Sequence, residues 1–174
     1  RHSRKVLQVE GGSTKRGANV ELWENTGEHH QHWKLVKVRR SIRCAALPTT
    51  GHFHIVSHKF GTGLNVQGKS QANGARVAQW KLGRRRNDNW RFNATSAGYY
   101  WVIAEHSGKA LASRGASDAG GTSIVQLKPA MKKHLQWCFV SSGKHTGLYK
   151  IVSRKNSGRV LEVDPSSNRN GADI

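Results

Sequence analysis

Residues 74–92 read GARVAQWKLGRRRNDNWRF, a stretch with two tryptophans on either side of three consecutive arginines. The same frame occurs in residues 17–35, GANVELWENTGEHHQHWKL, and a leucine precedes both stretches at the same distance. The matched positions are each offset by 57 residues: Leu7 and Leu64, Trp23 and Trp80, Trp33 and Trp90. A constant offset of this kind indicates an internal repeat.

Two further copies follow the second one. The third, ALASRGASDAGGTSIVQLKPAMKKHLQW, keeps the leucine and the closing tryptophan as Leu111 and Trp137, but Lys128 stands where the first tryptophan would be. The fourth is partial, and its segment SGRVLEV at 157–163 matches SRKVLQV at 3–9. The chain therefore divides into repeats with a basic insertion after the first one: about 1–38, the insertion 39–50, 51–94, 98–141 and the partial 147–174.

Each copy shows the pattern of short strands and turns. The segments HFHIVSH (52–58), YYWVIAEH (99–106) and LYKIVSR (148–154) alternate or cluster apolar residues at strand length. Tight glycine turns follow them and lead into a second short strand, whereas no stretch carries a sustained helical stripe. A repeat of four short strands cannot bury its own apolar face, but three repeats together can close and cap a barrel. The sequence predicts an all-β fold.

With these motifs the chain resembles the ricin-type β-trefoil lectins, also known for their QxW repeats. The resemblance is carried by a Leu-x-Val strand, a Gly-Ala turn before a Val-x-x-Trp strand, and a closing Gln-x-Trp strand. In this sequence they read LQV/ANVELW/QHW, LNV/ARVAQW/DNW and LAS/SIVQLK/LQW. The resemblance covers essentially the whole chain. It implies a single β-trefoil domain over 1–174, carbohydrate binding without catalysis, and a secreted or extracellular location.

The strand count does not fit a simple trefoil of twelve strands in three repeats. The first repeat lacks its first strand, and the chain ends with a surplus half repeat. In a permuted barrel, residues 148–154 would supply the missing strand, and 155–174 would pack elsewhere, fray or swap. Alternatively, the sequence is an incomplete record of a longer chain. Both interpretations predict an incomplete or permuted terminal repeat.

The resemblance implies two different roles for the tryptophans. Trp33, Trp90 and Trp137 occupy the Gln-x-Trp position, which fills the barrel core in the family. Trp23 and Trp80 occupy the position of the aromatic ring on which the family stacks the apolar face of a sugar. Ordinary packing in the barrel cap is the alternative for this second pair.

The family's polar partners are an aspartate in the Leu-x-Val strand and an asparagine before Gln-x-Trp. The candidate carbohydrate site of the second repeat is the more complete one: Asn65, Trp80, Asn87 and the adjacent Asp88. The first repeat offers a weaker set: Gln8, Trp23 and His30. The third has decayed to Ala112, Lys128 and His134, and the partial copy keeps Glu162 without an aromatic partner. A neutral amide is a weaker acceptor than a carboxylate, so the family's galactose specificity is in doubt.

Charge is the strongest bulk signal. Lys and Arg number 29 against 10 Asp and Glu, giving a net charge of +19 that attracts polyanions in general. Arg84, Arg85 and Arg86 lie beside the candidate site of the second repeat and suit the carboxylate or sulfate of a glycan. A solvated hairpin tip is the plainer interpretation. Further basic clusters lie in the insertion and in the matching loop of the third repeat: Arg39, Arg40, Arg43, Lys132 and Lys133.

These features leave three hypotheses about function. The first is a lectin or lectin module whose partners are glycans or glycoproteins, with sialylated or sulfated glycans as candidates. The second is a trefoil with decayed sugar pockets that binds heparin-like chains or nucleic acid by charge. The third is the binding domain of a larger glycosidase or toxin. A homodimer is left open.

Other classes of protein find little support in the sequence. No apolar run is long enough to cross a bilayer, and the few carboxylates form no recognisable acid–base pair. The stretch EHHQH at 28–32 is not the His-Glu-x-x-His zinc motif. We therefore expect no membrane insertion, no metal, no cofactor and no enzyme activity. Cys44 and Cys138 can form one bridge, form an intermolecular bond, or remain free thiols.

Overall fold

A computed structural model describes residues 5–34, 42–143, 145–156, 158–164 and 169–174. Within these ranges the chain forms only β-strands and single 3₁₀ turns, which confirms the all-β class. It divides into two compact units, Arg1–Ser41 and Ile42–Ile174. A single domain over 1–174 stays a prediction.

The first unit is a β-hairpin with two 3₁₀ turns, Glu10–Gly12 after its first strand and His29–Gln31 after its second. Strand β1 (Lys5–Val9) pairs antiparallel with β2 (Val20–Glu24), and the turn His29–Gln31 leads to Trp33. The indole Nε1 of Trp33 donates a hydrogen bond of 2.9 Å to the carbonyl of Leu7.

The apolar side chains of this hairpin are not enclosed. Trp33 is 53% exposed, and other side chains are exposed to a similar degree: Leu7, Val20, Leu22 and Trp23. The prediction that Trp33 fills a core is therefore wrong for this unit. The physical reason is that one two-stranded hairpin with its short turns has too few strands to cover both faces of an indole.

The second unit contains eight strands: β3 (Gly63–Val66), β4 (Val77–Trp80), β5 (Trp90–Ala94), β6 (Tyr100–Ala104), β7 (Ala110–Ser113), β8 (Ile124–Leu127), β9 (Trp137–Ser141) and β10 (Tyr149–Ser153). They pair antiparallel as β3–β4, β5–β6, β7–β8 and β9–β10. Strand β6 additionally contacts β7 and β9, which joins six of the eight into one sheet. The predicted strand 52–58 forms two isolated bridges instead, Phe53 with Trp90 and Val56 with Gly63.

Two tryptophans of the Gln-x-Trp position lie at the centre of this unit. Trp90 and Trp137 are buried, and their Nε1 atoms donate to the carbonyls of Leu64 and Leu111 at 2.9 Å. Both belong to one buried cluster with further aromatic side chains, in which Phe92 and Phe139 pack edge to face at 5.2 Å between centroids. The core role predicted for Trp90 and Trp137 is confirmed.

Backbone hydrogen bonds connect the repeats of this unit in the same way twice. The amide of Gly74 donates to the carbonyl of Gln126, and the amide of Gln126 donates to the carbonyl of Ala75. Gly171 and Ala172 make the equivalent pair of bonds with Gln79. The partial repeat is thus part of this unit, where β10 pairs with β9 and the Gly-Ala turn lies against β4.

A disulfide bond joins Cys44 to Cys138 across 94 residues of sequence. It fastens the described part of the insertion to β9, where the amide of Ala45 also donates to the carbonyl of Phe139 at 2.7 Å. The amide of Leu47 donates to the hydroxyl of Tyr100 at 3.0 Å. The open question about the cysteines is therefore answered by an intrachain bridge. The basic positions Arg39 and Arg40 lie outside the described residues.

Candidate functional site

Two buried asparagines form the base of the candidate site in the second repeat. Asn65 lies in the middle of β3, and Asn87 lies in the 3₁₀ turn Arg86–Asp88; each is 4% exposed. The amide nitrogen Nδ2 of Asn87 donates to Oδ1 of Asn65 at 3.0 Å and to the carbonyl of Val66 at 2.8 Å. The structure thus brings together the two amides that the sequence placed in one site.

The other polar atom of each of these two side-chain amides makes no hydrogen bond within the described structure. Nδ2 of Asn65 and Oδ1 of Asn87 are buried and have no hydrogen-bond partner in the described structure. Buried polar groups normally find a partner, so two adjacent exceptions need an explanation. One atom is a donor and the other an acceptor, which is the combination that hydroxyl groups of a ligand can satisfy.

Trp80 ends β4 opposite Gly63 and is partly exposed. One side of its indole is packed by the C-terminal turn, because a Cβ at Gly171 would lie 3.5 Å from the ring atom Cζ3. The side chain of Asn170 reinforces this contact through its Oδ1, which accepts from the amide of Lys81 at 2.7 Å. Trp80 is therefore held in place on one side while part of its surface stays open to solvent.

Asp88 is buried at the foot of the arginine loop. Its Oδ2 accepts from the amide of Gly83 at 3.3 Å, and its backbone carbonyl lies 3.1 Å from Nδ1 of His54. Gln31 makes the corresponding contact in the first repeat, where its Oε1 accepts from the amide of Thr26 at 2.9 Å. By this comparison Asp88 holds the loop closed, and its second oxygen, Oδ1, is another buried acceptor without a hydrogen-bond partner.

The three arginines of this loop differ in their contacts. Nε of Arg86 donates to Glu105 at 2.8 Å, so its charge is paired across to the next repeat. The pKa of the Glu105 carboxyl lies below its usual value, first because Asn89 donates to it and further because of Arg86 and His52. Arg84 and Arg85 are exposed and have no ion-pair partner among the described residues. The uncompensated charge of the loop therefore belongs to these two.

In the first repeat, the residue at the position of Asn65 is Gln8, and its hydrogen bonds are satisfied within the repeat. Gln8 is buried, with its Nε2 donating to Glu21 and its Oε1 accepting from Gln31, both at 2.9 Å. His30 is partly buried, and its ring lies beside Gly12. Trp23 is about half exposed. Both polar atoms of the Gln8 amide already have hydrogen-bond partners. The first-repeat set therefore offers a ligand fewer unpaired hydrogen-bonding groups than the second-repeat set, in which one atom of Asn65 is unpaired.

The third repeat has no amide pair at these positions. Ala112 is buried in β7, and Lys128 is exposed at the end of β8. Burial lowers the pKa of His134 below its ordinary value, and the positive charges of Lys132 and Lys155 lower it further. A lowered pKa favours the neutral form of His134, so of these three positions only Lys128 carries a positive charge, and none supplies an aromatic platform.

Two contributors to the second-repeat site were missed by the sequence analysis. From the partial repeat, Gly171 packs against Trp80 and Asn170 accepts from the amide of Lys81, and from the third repeat Glu105 pairs with Arg86. The signal for the first was present, since NGA at 170–172 copies the Gly-Ala turns of the other repeats. No sequence signal indicated the pairing of Glu105.

The described residues contain no cluster of His, Cys, Asp and Glu suited to a metal ion. They also contain no helix with the length and apolar character of a membrane span.

Two solved structures that are similar to this chain have sequence identities of 30% or more. The designed three-fold symmetric protein ThreeFoil is 35% identical, with a TM-score of 0.67 over 71% of this chain and 86% of its own. The exo-β-1,3-galactanase 1,3Gal43A from Clostridium thermocellum is 30% identical, with a TM-score of 0.51 over 78% of this chain and 27% of its own. The chain thus spans about a quarter of that enzyme.

A more distant likeness extends to natural lectins. The Polyporus squamosus lectin, solved with a sialylated human-type influenza-binding epitope, is 17% identical, with a TM-score of 0.51 over 74% of this chain and 49% of its own. At this level of identity the likeness concerns the fold alone. No curated protein sequence matches the chain.

The family comparison covers the chain from end to end. The model described as "Ricin-type beta-trefoil lectin domain-like" matches three overlapping stretches, residues 1–80, 37–127 and 86–174. These matches, together with the likeness to ThreeFoil, confirm the β-trefoil fold expected from the resemblance. The chain therefore belongs to the family of ricin-type β-trefoil lectin-like domains, a family of carbohydrate-binding modules.

Proposed function

We propose that this protein binds glycans without catalysing their cleavage, and that Asn65, Trp80 and Asn87 form its main site. The observation that carries the proposal is the asparagine pair: a buried donor on Asn65 and a buried acceptor on Asn87, both without a partner in the protein. They lie at the base of a site whose aromatic member is partly exposed. A pyranose ring can stack its apolar face on Trp80, and a side-chain movement that uncovers the two amide atoms lets its hydroxyls complete their hydrogen bonds.

We extend the proposal to glycans that carry an acidic group. The support is the net charge of +19 and the two arginines of the adjacent loop, Arg84 and Arg85, whose charges are not compensated. A guanidinium binds a carboxylate or sulfate through its planar set of donors. A structural relative from Polyporus squamosus was solved with a sialylated ligand, which fits the same chemistry.

The alternative of a binding module within a larger protein has its own support. The chain spans 27% of a galactanase and 15% of a mosquitocidal holotoxin with which it shares its fold. The disulfide bond suits an oxidising compartment, so a secreted or extracellular location remains our proposal in either case.

Replacing Trp80 by alanine tests the stacking role. We expect the variant to lose at least about tenfold in affinity for neutral and acidic glycans alike, because a central aromatic contact contributes about 2 kcal/mol or more. The measurement is binding to a panel of neutral, sialylated and sulfated glycans, with near-UV circular dichroism to check folding. Trp23→Ala is the matched variant in the first repeat and should leave most of the binding intact. Unchanged binding by the Trp80 variant would contradict the assigned site.

Exchanging Arg84 and Arg85 for glutamine tests the preference for acidic glycans. We expect the double variant to bind neutral glycans as before, but to lose both its preference for acidic ones and the salt dependence of that preference between about 50 and 200 mM. Arg86→Gln is the control, because the charge of Arg86 is paired with Glu105. If salt abolishes all binding, neutral glycans included, and Trp80→Ala has no effect, the polyanion hypothesis replaces the lectin site.

A further inference from the structure

Two junctions between successive repeats of the second unit have the same backbone contacts. At the junction of the second and third repeats, the amide of Glu105 donates to the carbonyl of Asn89 at 2.9 Å. At the junction of the third and partial repeats, the amide of Arg154 donates to the carbonyl of Gln136 at 2.9 Å as well. Glu105 and Arg154 each follow the residue that pairs with the closing tryptophan of the preceding repeat. Arg154 is therefore the structural equivalent of Glu105.

The charge at this equivalent position is reversed between the two junctions. In the first of them, Glu105 neutralises Arg86, whose Nε donates to it at 2.8 Å. In the second, Lys133 begins the 3₁₀ turn that corresponds to Arg86–Asp88, and Arg154 takes the position of the glutamate. An ion pair in one junction is thus replaced by two positive charges in the other.

Three more basic side chains lie at this second junction. Nζ of Lys155 donates to the carbonyl of Ala116, so its ammonium group connects the partial repeat to the third. Arg114 is exposed and begins the 3₁₀ turn that ends at Ala116. The pKa of His134 lies below its ordinary value, first because of burial and further because of the charges of Lys132 and Lys155, so both ammonium groups lie near this ring. We call the resulting surface the basic face and define it by its five cations: Arg114, Lys132, Lys133, Arg154 and Lys155.

The described part of the chain provides no counter-charge for the basic face. None of its five cations forms an ion pair with a described residue. The segments that supply its side chains and their contacts carry no Asp or Glu: residues 96–99, 114–117, 132–136 and 153–155. The nearest carboxylate along the sequence is that of Asp118, whose backbone carbonyl accepts from Nε of Arg159 at 3.3 Å. Like charges held together without a partner raise the local potential and attract anions.

Arg154 is held in a fixed orientation within this face. Its Nη1 donates to Oγ of Ser96 at 2.8 Å and to Oε1 of Gln136. Its guanidinium also lies 4.8 Å from the centroid of the Tyr99 ring. The two hydrogen bonds use Nη1 alone, so the donors of Nε and Nη2 remain for a ligand. A guanidinium fixed in this way can bind two oxygens of a sulfate side by side.

We propose that the basic face binds the sulfate groups of a sulfated glycan chain. Arg154 supplies a planar pair of donors, and the lysines near it supply point charges for neighbouring sulfates. The charge of the face is independent of the second-repeat site, whereas the choice of a glycan rests on the proposed function. The ligand is a chain long enough to carry several sulfates, so short glycans bound at Trp80 do not use this face.

A nucleic acid is the other polyanion that charge alone would admit. Proteins that bind single strands combine charge with aromatic rings on which the bases stack. Tyr99 is the only Phe, Trp or Tyr in the four segments, and the guanidinium of Arg154 already lies over its ring. The face also consists of turns, whereas the major groove of duplex DNA admits a helix or a β-ribbon. These features favour a sulfated glycan.

Isothermal titration of the full chain with a heparin octasaccharide tests the proposal. We expect binding that weakens steeply between about 50 and 200 mM salt, with a loss of about tenfold at the lower concentration for each ionic contact removed. Arg154→Glu should weaken binding at least about tenfold, because it removes a contact and gives Lys133 an ion-pair partner. Arg91→Glu, at an exposed position of β5 outside the basic face, makes the same change in net charge and should bind as the unchanged protein does.

A second variant keeps the test valid if near-UV circular dichroism shows that Arg154→Glu disturbs the fold. The pair Lys132→Gln and Lys155→Gln leaves Arg154 in place and should also weaken binding at least about tenfold. Octasaccharide binding that neither variant alters overturns the proposal. A single-stranded DNA of equal charge that binds as tightly as the octasaccharide overturns it as well, because charge alone would then explain the affinity.

Trp80→Ala and a neutral glycan separate this proposal from the second-repeat site. If the chain binds no neutral glycan but still loses the octasaccharide on Arg154→Glu, the assigned lectin site is wrong and the basic face stands. If Trp80→Ala alone abolishes octasaccharide binding, the sulfated chain is held at the second-repeat site and the basic face is wrong.

Discussion

Replacing Trp90 by alanine is expected to lower the free energy of unfolding of the second unit by about 3–5 kcal/mol. The side chain is fully buried at 0% exposure, so its removal leaves a large cavity among the rings of Phe92 and its neighbours. The carbonyl of Leu64 also loses its donor in a place that water does not reach. Urea denaturation followed by near-UV circular dichroism measures the change.

Trp33→Ala is the matched control for this experiment. Trp33 occupies the same repeat position and makes the same hydrogen bond of 2.9 Å, to Leu7, but it is half exposed. We expect its replacement to cost no more than about 1 kcal/mol. Equal losses in the two variants would mean that the hydrogen bond, and not burial, determines the contribution of this position.

The comparison of these two tryptophans also shows how far the sequence predicts the fold. The constant spacing of leucine and tryptophan indicated an internal repeat, and in the structure the indole of each repeat donates the same hydrogen bond to the leucine carbonyl 26 residues before it. Burial is a different matter, because it depends on strands from neighbouring repeats that a single repeat does not contain. Trp90 and Trp137 have those neighbours, whereas Trp33 does not have them within its own unit.

The candidate site was predictable to the same extent. Asn65 and Asn87 are fixed by the repeat frame, and their hydrogen bond follows from the pairing of a strand with the turn before the tryptophan. The pairing of Arg86 with Glu105 could not be predicted, because it joins a loop of one repeat to a residue of the next. A run of three arginines therefore looked uniform in the sequence, although only two of the charges are uncompensated.

The disulfide bond is another feature that the sequence could not predict. Two cysteines 94 residues apart carry no pairing information, because any two surface segments of a folded chain can meet. Here the barrel determines the outcome. It brings Ala45 into hydrogen-bonding contact with Phe139, next to Cys138, so the neighbouring Cys44 lies within bonding distance of β9.

Reducing this disulfide is expected to destabilise the second unit by up to about 4–5 kcal/mol, the loop-entropy value for a closed loop of this length. The bond restricts most of the second unit in the unfolded chain, and Cys138 is buried, so reduction also leaves a free thiol inside the fold. Urea denaturation with and without reductant measures the effect. The double variant Cys44→Ala and Cys138→Ala is the control, since its stability should match that of the reduced protein and not respond to reductant. If the reduced chain unfolds at the same urea concentration as the oxidised one, the hydrogen bonds of Ala45 and Leu47 hold the insertion in place without the bridge.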